Sequence, residues 1–423
     1  MSAPSSTVTA PAALRPVSWK TPGAGAVATA LLIVLAVTVP GESTIFQVSR
    51  PTDLFAIPDV TVPALLGLLV LTVAAAAATV VSVRYALARR RSPMWIGVVM
   101  GVAFVLGFLV WAGAGRTTVM PLTTMLAGGL ALSVPLIFGA MSGVVCEHVG
   151  VVNIAIEGQL LAGAFLGAMI ASVTGVPSLG LIAAPIAGLL VGVLLALFAV
   201  EYHVDQIIIG VVLNVLVIGL TNFFYSTVMT QNAEVLNARQ RLPDLPIPLL
   251  GQIPIIGPVL FRQTLLVYLM FVIVVVLQIW LFRSRWGLRL RSVGEHPRAA
   301  DTVGIDVGRT RWLNTLLGSA LAGLGGAYFT IGSGLAFGKE MSAGNGYIAL
   351  AAMILGGWNP KGAVAAALLF GFSRNIANTL STIGSPVPSE FLLMIPYAVT
   401  ILAVAGFVGR VRPPAAENQP YVK

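Results

Sequence analysis

The sequence predicts an all-α polytopic membrane protein, and three observations support this class. Of the 423 residues, 57% are hydrophobic and only 9% are charged, which gives a mean hydropathy of +0.95. Apolar runs of about 20 residues recur along the chain, the length that an α-helix needs to cross a hydrocarbon core of ~30 Å. The 45 glycines suit helices in lipid, where small residues form the packing interfaces.

The apolar runs predict about 11 to 12 transmembrane segments. The predicted spans lie near residues 25–40, 61–83, 94–113, 120–143, 157–176, 180–200, 206–228, 263–282, 312–334, 363–381 and 390–409. A further apolar stretch, 346–357, is shorter than an ordinary span, so we count it as one short or re-entrant crossing.

The basic residues predict the orientation of these spans in the plasma membrane. With both termini placed in the cytoplasm, seventeen of the 24 lysines and arginines lie in cytoplasmic segments, six lie outside and Arg374 lies within a span. This asymmetry follows the positive-inside rule. The net charge of +9 is therefore explained by topology, and we expect no nucleic-acid partner.

Composition divides the chain into four expected regions: a disordered cytoplasmic tail (1–24), additional N-terminal transmembrane helices (25–115), a core domain (120–409) and a cytoplasmic tail (410–423). The longest outside loop, 230–262, contains five prolines, which predict an extended loop without regular structure. That loop is either a plain connector or a contact surface for an external partner.

Motifs for catalysis and metal binding are missing from the sequence. Gly338-Lys339 is followed by Glu340, so the chain has no phosphate-binding loop of its own. The three histidines lie far apart, and none belongs to a helical zinc motif. We therefore expect no catalytic residue and no metal site.

Polar side chains occur within three of the predicted spans. Such groups are costly in a membrane and usually face the bundle interior or a wet cavity. Hydrogen bonding between helices explains each residue taken singly, whereas together they predict a polar pathway for a neutral, hydroxyl-bearing solute. The residues are Asn153 and Glu157 at the mouth of the first span, Asn214, Thr221 and Asn222 in the second, and Arg374, Asn375 and Asn378 in the third.

Two stretches with helix-breaking residues have partly similar sequences. They are VVNIAIEGQLLAGAF (151–165) and GYIALAAMILGGWNP (346–360). The predicted topology runs the first from inside to outside and the second from outside to inside. Paired interrupted segments in inverted halves are typical of a transport site near the middle of the membrane, so we form the hypothesis of an inverted repeat here.

The charged residues are concentrated in one segment, 283–311, which holds seven arginines, one histidine and three acids. Within it, HPRAADTVG (296–304) predicts one short helix, because Pro297 suits a first helical position and Gly304 a C-terminal stop. Its small apolar face would comprise Ala299, Ala300 and Val303, with Arg298 and Asp301 beside it. Such a helix fits a groove on another protein; a solvated loop touching anionic lipid is the alternative.

Three stretches resemble the permease subunits of ABC importers. The first, EHVGVVNIAIEGQLLAGAF (147–165), is similar to the hallmark segment of the branched-chain amino acid, simple-sugar and nucleoside permeases. The second and third, VGEHPRAADTVGIDVGRTRWLNTLLGSALAGLGGAYF (293–329) and GNGYIALAAMILGGWNPKGAVAAALLFG (344–371), resemble the nucleoside branch. The resemblance runs from about Pro121 to Val408, so the core domain 120–409 is identified as an ABC permease domain. The helices in 25–115 depart from the pattern.

The resemblance implies a coupling contact with a cytoplasmic ATPase that binds and hydrolyses ATP, so this chain is expected to hold no cofactor. It also implies a second, paralogous permease subunit and an external substrate-binding lipoprotein. The expected cargo is a nucleoside, with simple sugars as the alternative. The coupling residues would be Glu295, His296, Pro297, Arg298, Ala299, Ala300, Val303 and Gly304. A secondary transporter that works alone under an ion gradient is the rival interpretation.

Overall fold

A computed structural model describes residues 17–51, 53–90, 92–116, 118–384, 387–388, 390–391, 394 and 412–422. The helices are α1 (Lys20–Val37), α2 (Ala64–Leu87), α3 (Met94–Gly113), α4 (Leu122–Glu147), α5 (Ile156–Thr174), α6 (Pro177–Ala196), α7 (Gln206–Phe224), α8 (Ala233–Leu236), α9 (Leu265–Arg283), α10 (Arg285–Glu295), α11 (Pro297–Thr302), α12 (Val307–Gly326), α13 (Asn345–Leu355) and α14 (Pro360–Ile383). The strands are β1 (Ser43–Gln47), β2 (Val60–Pro63), β3 (Met120–Pro121), β4 (Asp244–Pro246) and β5 (Arg262–Thr264).

Eight of the described helices, α1 to α7 and α9, are long and apolar enough to cross a membrane. The prediction of a polytopic all-α membrane protein is therefore confirmed. The predicted spans 312–334 and 363–381 correspond to α12 and α14, which are 20 and 24 residues long but carry more polar side chains. The predicted span 390–409 lies almost wholly outside the described residues.

The start of the first helix differs from the expected boundary of the N-terminal tail. Helix α1 begins at Lys20, so residues 20–24 are helical rather than part of a disordered segment. Pro22 lies in the first turn of α1, where a missing backbone N–H costs no helical hydrogen bond. The sequence argument placed the boundary too late because it rested on the composition of the first 24 residues, which does not locate the start of a helix.

The chain divides into two compact units. The first contains α1, α2 and α3 with a small hairpin, in which Ser43 pairs with Pro63 and Phe46 with Val60. Small residues bring these helices together, since Gly25 of α1 lies against Thr79 of α2. This is the packing expected of helices in lipid, where close backbone approach replaces the hydrophobic effect as the source of association.

The second unit contains α4 to α14, and α4 is its central helix. Every residue of α4 from Ser133 to Glu147 is buried, and α12, α13 and α14 pack around it. Glycine allows the closest approaches in this unit, for example where Gly163 of α5 and Gly188 of α6 both meet Gly323 of α12. The glycine-rich composition therefore becomes a set of narrow helix interfaces.

The loop 230–262 contains more regular structure than its prolines predicted. It holds α8 and strand β4, which pairs antiparallel with β5 in the register Asp244 to Thr264 and Pro246 to Arg262. Pro246 ends β4, so its missing N–H interrupts no ladder. The expectation of a wholly extended loop was wrong because this pairing joins residues far apart in sequence.

Steric contact at the glycine interfaces gives a stability prediction. A Cβ at Gly326 would overlap the carbonyl oxygen of Leu160, whereas a Cβ at Gly219 meets nothing within 4 Å. We expect Gly326→Ala to lower the free energy of unfolding by about 1–3 kcal/mol through overpacking, and Gly219→Ala to leave it unchanged or slightly higher. Thermal unfolding of both purified variants in the same detergent checks this, and equal midpoints would contradict the interface.

Candidate functional site

Two helices begin at one point inside the second unit, and the side chain of Glu157 joins them. Glu157 lies in the first turn of α5 and is 4% exposed. Its Oε1 accepts hydrogen bonds from the Ser342 hydroxyl (2.6 Å) and the Gly344 N–H (2.8 Å). Its Oε2 accepts the Gly346 N–H at 2.6 Å. We call this meeting of the N-termini of α5 and α13 the helix junction.

The carboxylate at the helix junction compensates the partial positive charge and the unpaired N–H groups of two helix N-termini. The first amides of a helix have no partner within the helix, and its N-terminus carries a partial positive charge. Gly344, at the N-cap of α13, has no side chain to serve as a cap. Glu157 supplies the missing acceptors from another helix, and it is itself at the positive end of α5.

The two helices leave the junction in opposite directions. Helix α5 runs parallel to α12. Helix α4 runs antiparallel to α12 and parallel to α13, so α5 and α13 run antiparallel to each other. The contacts that fix these directions are Gln159–Ser319 and Gly167–Ala327 for α5 with α12, Cys146–Gly318 and Phe138–Gly325 for α4 with α12, and Gly139–Ala349 and Gly143–Met353 for α4 with α13. The opposed directions are those expected for the stretches 151–165 and 346–360.

Asn214 fastens α7 to the helix junction. Its side-chain oxygen accepts the Gly158 N–H at 2.7 Å. Its amide nitrogen donates to the Ile154 carbonyl (2.9 Å) and to the hydroxyl of Tyr347 (3.2 Å). Asn214 is buried, so its hydrogen-bonding capacity is used between helices, while Tyr347 beside it is exposed.

Asn153 lies in a closed network next to the junction. Its amide nitrogen donates to the hydroxyl of Ser142 (3.0 Å) and to the side-chain oxygen of Gln159 (2.9 Å). Gln159 in turn donates to Asn153 and to the hydroxyl of Ser319. All four residues are buried, so this group holds α4, α5 and α12 together rather than lining an open path.

Arg374 extends the junction to α14. Its Nη1 donates to the side-chain oxygen of Asn345 at 3.0 Å, and Asn345 donates to the Ser342 carbonyl at 2.7 Å. Arg374 is half-buried. Among the residues that the structure describes, no carboxylate lies within ion-pair distance of its guanidinium. Guanidinium N–H donors of Arg374 are therefore available to another polar group.

The other four polar residues of the predicted pathway occupy different positions. Thr221 donates to the Val217 carbonyl of its own helix at 2.7 Å. Asn222 donates to the carboxylate of Glu340 at 3.2 Å, and its own side-chain oxygen is buried without a partner. Asn375 donates to the Met125 carbonyl at 2.7 Å and fastens α14 to α4. Asn378 is exposed on α14. The structure thus brings Glu157, Asn214 and Arg374 together at the junction and leaves Asn378 apart.

The predicted short helix in the charged segment is present as α11, between α10 and α12. It begins at Pro297, His296 occupies its N-cap position, and Gly304 beyond its end has a φ of +85°. That φ falls in the left-handed region, where glycine carries no Cβ penalty. The sequence signals for both ends of this helix are confirmed.

The expected apolar face of α11 does not form one surface. Ala300 is buried in a cluster with Val293 and Val307. Val303, by contrast, is 75% exposed, and Ala299 is also exposed. Of the three apolar residues, only Ala299 and Val303 are exposed. Because Ala300 anchors α11 to its neighbours, a change at Ala300 would test folding rather than docking.

The C-terminal segment 412–422 packs against the same region, which the sequence did not indicate. The Ala416 N–H donates to the Gly294 carbonyl at 2.8 Å. Arg311 Nη1 donates to the Gln419 carbonyl at 2.8 Å, and His203 Nε2 donates to the Tyr421 carbonyl at 3.0 Å. We call α10, α11 and segment 412–422 the charged end of the second unit.

A pair of carboxyl groups connects the charged end to the short helix α13. Glu147, the last residue of α4, accepts the indole N–H of Trp358 at 2.5 Å, and Trp358 follows α13. The carboxyl group of Glu417 lies near that of Glu147 and interacts with it electrostatically. Burial raises the pKa of Glu417 above its usual value, because the charged form loses its water.

Comparison with known proteins assigns the family. Residues 125–404 match the family described as branched-chain amino acid transport system / permease component. The chain is 38% identical over 314 residues to the guanosine ABC transporter permease protein NupQ of Bacillus subtilis (strain 168), covering 71% of this chain and 97% of NupQ. The chain therefore belongs to this permease family.

Two further relatives have similar names. The nucleoside ABC transporter permease protein NupC of Lactococcus lactis subsp. cremoris (strain MG1363) is 38% identical over 313 residues, covering 71% of this chain and 98% of NupC. The guanosine ABC transporter permease protein NupP of Bacillus subtilis (strain 168) is 27% identical over 343 residues, covering 80% and 91%. No solved structure matches the chain. Membership of this permease family and the eight apolar helices together show that the chain is a multi-pass protein of the plasma membrane.

The helix junction gives a second stability prediction. We expect Glu157→Gln to destabilise the second unit by about 2 kcal/mol, because an amide offers one acceptor to three donors and removes charge-assisted hydrogen bonds. Glu234→Gln, at an exposed position in α8, is the matched control and should leave the protein unchanged. Thermal unfolding in detergent compares them, and a Glu157→Gln midpoint equal to that of the wild type would count against the junction.

The raised pKa of Glu417 predicts that attachment of segment 412–422 depends on pH. A folded-state pKa above the unfolded value means that the stabilisation is present at low pH and is lost as pH rises through the folded pKa. Hydrogen exchange of residues 412–422, corrected for intrinsic rates, should therefore accelerate as the pH rises above the ordinary titration range of a glutamate. Glu417→Gln should reduce this dependence, while Glu295→Gln, which removes an exposed carboxyl beside the same segment, should preserve it.

Proposed function

We propose that this chain is the membrane-spanning subunit of an ABC importer for nucleosides, driven by ATP that a separate subunit binds and hydrolyses. The observation that carries the proposal is the position of α11. This helix presents Val303 and Ala299 outward while Ala300 anchors it to the second unit. The names of NupQ and NupC support a nucleoside as the cargo.

In this proposal the charged end faces the cytoplasm and both termini lie there. The segment 283–311 contains seven arginines, and basic residues collect on the cytoplasmic side of membrane proteins. The cytoplasmic ATPase then docks on α11. The chain itself takes no cofactor, and it performs no chemistry on the solute.

The proposed assembly contains two further proteins. Bacillus subtilis has two guanosine permease proteins, NupQ and NupP, that both resemble this chain, which supports a paralogous second permease. An external binding lipoprotein would deliver the solute to the side opposite the charged end.

The contacts within the second unit suggest how ATP-driven motion reaches the solute path. Displacement of α11 would move segment 412–422 through Ala300 and Tyr421, which pack in one cluster. The carboxyl group of Glu417 would pass the motion to Glu147 and thence to Trp358 at the end of α13. A shift of α13 changes the helix junction, where Arg374 and Tyr347 offer polar groups to a hydroxyl-bearing solute. Alternating access of this kind needs two packings of the bundle and no covalent step.

Purification of the chain from its native membrane in mild detergent tests the assembly. We expect an ATPase and a second permease to co-purify, and the recovered complex in proteoliposomes should take up labelled guanosine when ATP is supplied. Uptake of a free sugar in preference to guanosine would mean that the cargo is a sugar rather than a nucleoside. Recovery of the chain alone, with transport under an ion gradient, would instead establish a secondary transporter.

A substitution at Val303 tests docking without disturbing the fold. Val303→Asp places a charge on the exposed side of α11 and should reduce the recovered ATPase by about tenfold or more, as expected for a charge in a docked apolar contact. Val235→Asp, at a position with 58% exposure on α8, is the control and should retain the ATPase. If a well-expressed Val303→Asp variant co-purified with as much ATPase as the wild type does, docking at α11 would be refuted.

A further inference from the structure

A groove lies at the charged end between α10, the turn after α11 and the first turns of α12. Its volume is about 960 Å³. The rim carries Arg285, Arg289 and Arg309, and the lining also includes Leu288 and Leu313. The groove therefore combines three cations with an apolar surface.

The three arginines of the groove have open guanidinium groups. All three are exposed, and within the described part of the chain none forms an ion pair. Asp306, the acid in the lining, uses its carboxylate oxygen to accept the Arg309 backbone N–H at 2.9 Å, as the N-cap of α12. Arg291 on the same helix α10 is engaged, since it donates to the Gly287 carbonyl and lies 5.3 Å over the ring of Phe282.

The apolar part of the groove continues onto the outer surface of α12. Leu313 lies nearly two turns inside α12 and is 55% exposed, and Leu288 on α10 is 63% exposed. Helix α10 follows directly on the apolar span α9. At this boundary the rings of Trp280 and Trp286 meet edge to face, 5.9 Å apart. Tryptophan at such a boundary is typical of the membrane interface.

These features together describe an amphipathic helix lying in the membrane interface against a transmembrane helix. Such a helix places arginines at the level of the headgroups and apolar side chains at the start of the acyl chains. Basic pockets between membrane helices are suited to anionic headgroups. Leu313 lies at the start of the span 312–334 expected from the sequence, so a lipid can contact both the arginines and Leu313, whereas a soluble partner reaches the arginines more readily.

We propose that this groove binds an anionic phospholipid, with its phosphate between Arg285, Arg289 and Arg309 and an acyl chain along Leu288 and Leu313. The site does not depend on the cargo, and it borders the proposed ATPase-docking surface, because Val303 and Gly304 also line the groove. Arginine suits this role since its planar group presents several donors to phosphate oxygens.

The experiment measures phosphatidylglycerol binding to the full-length chain by native mass spectrometry, with phosphatidylcholine as the reference lipid. We expect selective retention of phosphatidylglycerol, and we expect Arg285→Gln/Arg289→Gln to weaken it by about tenfold or more. Arg84→Gln/Arg90→Gln is the matched control, because it removes two exposed arginines at the end of α2, beside another span. This control should retain wild-type affinity. Arg309→Gln is measured alone in case the double variant does not fold.

Three outcomes would overturn the proposal. An equal loss of affinity in the control pair would mean general attraction of basic residues to anionic membranes. Competition by inorganic phosphate at the same concentration as the lipid headgroup would indicate a site for a soluble anion. Loss of the co-purifying ATPase with unchanged phosphatidylglycerol binding would make the groove a protein-docking surface.

Discussion

The carboxylate of Glu157 is the interaction on which the second unit depends. A buried charge is tolerated only when it is fully hydrogen-bonded. Here three donors from the first turn of α13 and the residues just before it surround the carboxylate. Without it, the unpaired amides of α13 and the positive ends of two helices would meet in an apolar interior. The short helix α13 can begin inside the second unit because this carboxylate accepts hydrogen bonds from its first backbone N–H groups.

Other polar contacts extend the junction to the neighbouring helices. Asn214 ties it to α7 and Arg374 ties it to α14, and each bond joins a side chain to a helix end rather than to a helix middle. Helix α13 is 11 residues long and ends near Trp358, whose indole binds Glu147. The short helix thus lies between the polar junction and the charged end, so movement at either end has a defined route to the other.

The arginines of the charged segment 283–311 have three different roles. Arg311 is buried and donates to the C-terminal segment. Arg291 is held by a ring and a carbonyl, whereas Arg285 and Arg289 remain open on the surface. One residue type therefore supplies structure, local packing and an accessible charge, and burial decides which. The same distinction separates Ala300, which anchors α11, from Val303, which is presented outward.

The sequence by itself determined the membrane class, most helix positions and the ends of α11, because apolar run length, proline and glycine act locally. It also singled out Glu157 and Arg374, since polar residues in apolar runs require an explanation. Tertiary structure alone decided that Asn153 and Asn375 are used in packing, that Ala300 faces inward and that residues 412–422 return to the charged end. These outcomes depend on which helices become neighbours, and side chains far apart in sequence then satisfy one another's hydrogen bonds.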